Sequence, residues 1–191
     1  MEQLPLTVRR WTRAEYDHLV DLGVFHADPV ELIGGQLIVA EPQNSTHATA
    51  LGAADDALRA ALPPGFLVRA QMPLALDEES APEPDLAVVP GRRADYRDHH
   101  PGRPVLVVEV ADASLRFDRR EKGSLYARAG VPEYWIVNLV DRVLEVHRDP
   151  IADPRATYGW GYRTLDRLEP GATVEPSSIP GTRVAVADLL P

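Results

Sequence analysis

The amino-acid sequence predicts an α/β domain in which a mixed central β-sheet is flanked by helices. Three observations carry the prediction. The run Pro104-Val105-Leu106-Val107-Val108-Glu109-Val110-Ala111 is almost continuously apolar, as a strand buried on both faces must be. Helix-forming segments alternate with strand-like ones along the chain, and turn residues separate them. The third is size: 191 residues with 45% hydrophobic content suit one core, so a single domain over 1–191 is expected.

The elements follow in order. Thr12 and Glu15 form a capping box, which places a short helix from about Thr12 to Leu22, ending near Gly23. VELIGGQLIVAE reads as a hairpin, two β-branched runs joined across Gly34 and Gly35. Ser45 or Thr46 caps a second, alanine-rich helix that runs to about Leu62, where Pro63 and Pro64 stop it. FLVRAQ and PLAL are short strand candidates, and DLAVV and PVLVVEVA are central strands. A helix from about Arg119 to Ala129 follows, stopped by Gly130. EYWIVN and RVLEVHR then pair across a turn, and the remainder offers several short strands ending in TRVAVADLL.

Composition narrows the chemistry. With no cysteine the chain has neither disulfides nor a thiolate metal site, so any metal is held through oxygen or nitrogen. No apolar run is long enough to cross a bilayer and the N-terminal stretch lacks the pattern of a secretory leader, so no membrane partner and a cytoplasmic location are expected. A net charge of −9 argues against a non-specific nucleic-acid coat protein. Positive charge is local: Arg92, Arg93, Arg97, His99, His100 and Arg103 form one stretch, and Arg116, Arg119, Arg120 and Lys122 another. A solvated loop and a solvated helix end are the ordinary accounts of both. Lys122 is the only lysine among the 20 basic residues. A compact ammonium fits between carboxylates and a phosphate oxygen where a planar guanidinium does not.

Three residues stand out. Strand alternation puts Glu109 on the face of Val105 and Val107, where a carboxylate is tolerated only if paired or metal-bound. A structural ion pair with an arginine and a functional role both remain open. Asp85 opens a strand after Pro84; a turn aspartate is its ordinary role, yet pairing DLAVV with PVLVVEV brings it to the same sheet edge as Glu109. Two carboxylates at one site suit an oxygen-ligated divalent cation. Lys122 shares a helical stripe with Leu125, Tyr126 and Ala129 and so points inward, unless its ammonium snorkels to water at the helix end.

The segment VLVVEVADASLRFDRREKGSLYARAGVPEYWIVN resembles the signature region of the Uma-type putative restriction endonuclease family, within the PD-(D/E)XK nuclease superfamily. VELIGGQLIVAEPQNSTHATAL resembles the family's N-terminal signature and APEPDLAVV its PD strand, so the likeness covers nearly the whole chain. The resemblance implies a restriction-endonuclease-like core, Asp85 and Glu109 as ligands of Mg2+ with Mn2+ as a substitute, and Lys122 beside them. In that family the lysine has moved from the strand to the following helix, and here Ala111 stands two positions after Glu109. Glu31 matches the acidic residue of the family hairpin, as a further carboxylate of the site or as one on its rim. His47 and Gln71 fall at family-like positions, a cap or surface role being at least as good an account of His47 as phosphate contact. Tyr126 and Tyr134 are most simply core residues. The family's Ser-Pro-Ser type turn is replaced by Ala111-Asp112-Ala113-Ser114.

The implied activity is that of a metal-dependent endonuclease hydrolysing phosphodiester bonds in DNA, with a homodimer suggested by the need to cut two strands. Two rivals belong to other classes. A catalytically inactive nuclease-fold interaction module would not need Asp85, Glu109 and Lys122 to converge. A metal-dependent hydrolase of a small phosphorylated substrate would have a closed pocket in place of a groove.

Overall fold

The computed structural model describes residues 7–26, 28–40 and 42–191. Its centre is a six-stranded mixed sheet of β3 (Phe66–Ala70), β4 (Leu86–Pro90), β5 (Leu106–Ala111), β6 (Glu133–Asn138), β7 (Val143–Ala152) and β8 (Trp160–Leu168), in that spatial order. Only β5 and β6 run parallel; the other neighbours are antiparallel. A parallel pair needs a crossover, and here it is helical: α3 (Leu115–Phe117), a π turn (Asp118–Lys122) and α4 (Gly123–Arg128).

The two faces of the sheet are covered differently. Ala50, Ala54 and Leu58 recur every four residues along α2 (Ser45–Ala61) and pack on Leu106, Val108 and Val110. The C-terminal segment closes the same face, where β9 (Thr173–Val174) pairs with β10 (Val184–Ala185) and a 3-10 turn buries Val186 and Leu189. The opposite face carries Ala87, Val107, Tyr134 and Ile136, with Tyr126 of α4 packed on them.

A small satellite cluster stands beside the sheet. α1 (Arg13–Asp21) begins at Thr12 with the predicted capping box, and its Tyr16 packs with Leu32 and Ala81. The Tyr16 hydroxyl donates to the Val30 carbonyl at 2.7 Å. This holds the predicted hairpin, β1 (Val30–Ile33) and β2 (Gln36–Val39), whose two-residue turn has Gly34 and Gly35 at φ 54 and 78. Positive φ at both positions is the twist-matched turn that glycine adopts without steric penalty. Glu41, at the end of the predicted hairpin, lies outside the described residues.

Four expectations are corrected. Asn44, not Ser45 or Thr46, caps α2, its side chain accepting from the His47 N–H at 2.9 Å. PLAL is not a strand: the Leu74 N–H goes to Pro82 and the Ala75 N–H to Pro101, so its backbone is satisfied by loops. The third helical stretch starts at Leu115 rather than Arg119 and contains the π turn. After β7 the chain forms one nine-residue strand, β8, before its short ones. Among the described residues no helix is long and apolar enough to cross a membrane.

Candidate active site

The β4–β5 register decides where the chemistry lies. Leu86 pairs with Val108, so Asp85, one step before β4, meets Glu109 in β5. There the ladder gives way to side chains. The Asp85 N–H donates to Glu109 Oε2 at 3.3 Å, and Asp85 Oδ2 accepts from the Val110 N–H at 2.8 Å. Each carboxylate thus helps to hold the other's backbone.

Lys122 reaches the same point from the crossover. In the π turn the Gly123 N–H bonds back to the Asp118 carbonyl, five residues earlier. Lys122 is only 8% exposed, and its Nζ donates to Glu109 Oε1 at 2.9 Å. The snorkelling alternative is thereby set aside. Tyr126, one turn on, donates its hydroxyl to the same oxygen at 2.6 Å. The hairpin brings in Glu31, whose Oε2 accepts from the Glu83 N–H at 3.0 Å and lies 3.8 Å from Lys122 Nζ. His47, on the first turn of α2, places Nε2 3.2 Å from Asp85 Oδ2.

All four residues singled out in the sequence, Glu31, Asp85, Glu109 and Lys122, line one cleft of about 580 Å³, and His47 and Gln71 line it too. Gln71 adopts φ 50 and its N–H donates to the Asp85 carbonyl, so its backbone braces the entry to β4.

The cleft holds more negative charge than it can neutralise. Glu31, Glu83, Asp85, Glu109, Asp112 and Asp118 face one ammonium. Burial pushes the Glu109 carboxyl up to about 8; Lys122 opposes this, and Asp85 and Asp118 reinforce it. Asp118 is likewise pushed up to about 6 by burial, against Lys122 and a 2.6 Å hydrogen bond from Ser114. For Lys122 burial disfavours the charge, but Glu109, Glu31 and Asp118 together hold the ammonium above its ordinary range. The tendencies of Glu109 and Lys122 conflict if taken as a pair, since one favours a neutral acid and the other an ion pair. Charge balance resolves it: Lys122 stays charged with several carboxylates to choose from, and the cluster keeps a proton in excess. The His47 imidazole is raised chiefly by its hydrogen bond to Asp85.

Asp118 was not singled out in the sequence, and Tyr126 and His47 do more than was read there. Asp118 is buried in the cleft, and its position four residues before Lys122, with Ser114 four before that, was the available signal. Tyr126 is a core residue as expected, but its hydroxyl also serves Glu109. His47 leaves Nδ1 buried without a hydrogen-bond partner among the described residues, a sign that more than helix capping is involved.

Each carboxylate is gripped through one oxygen only. Asp85 Oδ1 has Gln43 Nε2 at 3.5 Å, the limit of a hydrogen bond, and Glu109 Oε2 has just the long contact from Asp85. Among the described residues no group of three or more His, Asp or Glu forms a ready-made cage for an ion. The residues that could hold a cation are Asp85 and Glu109, each through its less firmly held oxygen.

No curated protein matches the chain. Among solved structures, the crystal structure of a protein from Anabaena variabilis ATCC 29413, described as "a putative nuclease belonging to DUF820", superposes with a TM-score of 0.62 over 84% of this chain and 88% of that one. At 16% identity the likeness establishes the fold. A family model described as "Putative restriction endonuclease" matches residues 14–187, which takes in the whole central sheet and every residue of the cleft named above, and the chain belongs to that family, Uma2.

Proposed function

We propose that this protein is a metal-dependent endonuclease that hydrolyses phosphodiester bonds in DNA, with Asp85 and Glu109 as ligands of Mg2+ and Lys122 and Glu31 beside them. A nuclease family points to hydrolase chemistry and to a metal cofactor. The observation that carries the reading is the unbalanced cleft: several buried carboxylates surround one ammonium, and Asp85 and Glu109 each present an oxygen that the protein does not grip firmly. Two carboxylates with waters and a substrate phosphate are the usual Mg2+ environment, and Mn2+ accepts the same donors.

The bound ion supplies charge neutralisation and a more acidic water. The chain's own residues do the rest. Val110 N–H and His47 fix Asp85 Oδ2, so its other oxygen is presented in one direction. Lys122 and Tyr126 fix Glu109 in the same way. Lys122 Nζ, between Glu109 and Glu31, is placed to donate to a non-bridging phosphate oxygen as negative charge grows there. A pair of chains would bring two such sites to a duplex, one for each strand.

The test is cleavage of supercoiled and linear DNA by wild type and Glu109→Gln, each with Mg2+, with Mn2+ and with EDTA. Wild type should cut only with metal, and Glu109→Gln should not cut at all while keeping its fold. A Glu109→Gln protein that cuts at the wild-type rate removes this residue from the chemistry. A wild type that is folded, binds metal and cuts nothing favours the interaction module.

A further inference from the structure

The helical crossover has a second side. Asp118 and Lys122 face the acidic cleft, whereas Arg119, Arg120 and Gly123 line another pocket of about 410 Å³. Arg155, His147, Trp160 and Tyr162 complete its chemistry. In a chain of net charge −9, three arginines beside an exposed indole are an exception.

The state of each group matters. Arg119 is held by Glu145 and Asp141, and Arg155 by Asp153, which also lines the pocket. Arg120 is exposed, and among the described residues it has no ion-pair partner. His147 is different again. Its side chain is 13% exposed and packed against Tyr134 and Tyr162, and its Nε2 has no hydrogen-bond partner among the described residues, Glu145 Oε2 being 4.0 Å away. Burial pushes its imidazole down to about 4, so it adds no positive charge to the pocket. The grip on an anion there falls to the guanidinium groups, and above all to Arg120, unpaired among the described residues. Trp160 is 39% exposed at the rim, and a base can stack on an indole so placed.

We propose that this second pocket binds a backbone phosphate of the nucleic-acid strand whose scissile bond lies in the cleft, with a neighbouring base stacked on Trp160. The proposal rests on the nuclease reading for the identity of the strand. Geometry supports the span. The wall between the two sites is one helix, about 10–12 Å across with its side chains, a gap that a few nucleotides of one strand can bridge. Arginine suits this grip, since its fork pairs with two phosphate oxygens. The acidic cleft repels a polyanion, so an anchor beyond its wall lets the strand be held while the reacting phosphate is presented.

The test is binding of a fluorescein-labelled oligothymidylate, followed by anisotropy in EDTA so that nothing is cut. Wild type should bind, and Arg120→Glu and Trp160→Ala should each weaken binding about tenfold. Arg120→Glu should also lower the slope of log affinity against log salt by about one. Arg120→Ala, a milder change at an exposed position, should repeat the loss in part. Arg92→Glu, in the other basic stretch, should change nothing. Variants that bind like wild type, an equal loss in Arg92→Glu, or a wild type that binds no strand would each overturn the proposal. Inorganic phosphate that competes as well as unlabelled oligothymidylate would overturn the strand and leave a free-anion pocket. Cleavage with Mg2+, measured in parallel, separates the two readings. Strand binding that depends on Arg120 without any cleavage sinks the nuclease and keeps the pocket, and normal cleavage with unchanged binding does the reverse.

Discussion

The two faces of β5 are made by alternate residues of one strand and have opposite character. Leu106, Val108 and Val110 meet the aliphatic stripe of α2 and the C-terminal segment, and the carboxylate buried on that side, Glu133, is paired with Arg148 and accepts from Trp135 and Ser177. Val107, Glu109 and Ala111 meet tyrosines, an ammonium and other carboxylates. Burying an unbalanced carboxylate cluster costs several kcal/mol after relaxation, roughly what a few well-packed aliphatic side chains return. The dry face stabilises the sheet, and the wet face draws on that stability to hold charges in fixed positions. Predictions follow from trying to erase that contrast.

The largest effect should come from the dry face. Leu106→Ala removes a fully buried side chain between sheet and helix, and should cost about 2–5 kcal/mol in urea unfolding. Whatever folds should still bind metal. A loss below about 1 kcal/mol would mean that this face collapses around the gap and is not the rigid support described.

On the wet face Lys122→Arg keeps the charge and changes its shape. The guanidinium cannot take the place of Nζ between Glu109 and Glu31, and cleavage should fall about a hundredfold, the scale of losing one preorganised donor. Melting temperature should move little. Full activity in both Lys122→Arg and Lys122→Ala would end the case for the only lysine.

Metal and proton should compete for the same carboxylates. Mg2+ at about 100 times its Kd should stabilise wild type by about 2.7 kcal/mol and leave Asp85→Asn unchanged. Equal thermal shifts in both would put the ion elsewhere. Without metal, Glu109 is pushed from 4.5 to about 8 on folding, so between those values the unfolded chain has released a proton that the folded chain keeps. Stability therefore falls as pH rises from about 4.5 to about 8, and levels off above. Glu109→Gln should flatten this fall, and its advantage in melting temperature over wild type should grow with pH. An advantage constant from pH 5 to pH 8, on the scale of the linkage argument, would contradict it.

The smallest effect belongs to Tyr126→Phe, which deletes one hydrogen bond to Glu109 and leaves the ring in place. About 1 kcal/mol of stability should be lost, with a weak effect on the dry face's cooperativity. A neutral substitution would show that Lys122 alone satisfies that oxygen.

Much of this contrast was legible in the sequence because it is written in local patterns. Glu109 interrupts an apolar run, and Lys122 falls on an apolar stripe; each is chemically out of place, which is what made it visible. The capping box at Thr12 and the Gly34-Gly35 turn are short-range devices, and they fold as read. The π turn was invisible because Asp-Arg-Arg-Glu-Lys contains ordinary helix formers, and a bond to the fifth residue back leaves no residue signature. β8 was read too short because its middle, Arg163 to Arg167, is exposed and has no alternation to display. The partnership of His47 with Asp85 depends on how α2 docks across the sheet, a tertiary fact that its helix-start sequence does not encode. PLAL has strand-like residues, but its N–H groups are taken by the carbonyls of Pro82, Pro101 and Ser80 in loops.

The burial of the only lysine has a spectroscopic consequence. Feeding labelled lysine to an expressing culture would place one side-chain isotope in the whole molecule, at the centre of the carboxylate cluster. The Nζ resonance of Lys122 would then report, without assignment and without mutation, on each proton, cation or phosphate that enters the cleft.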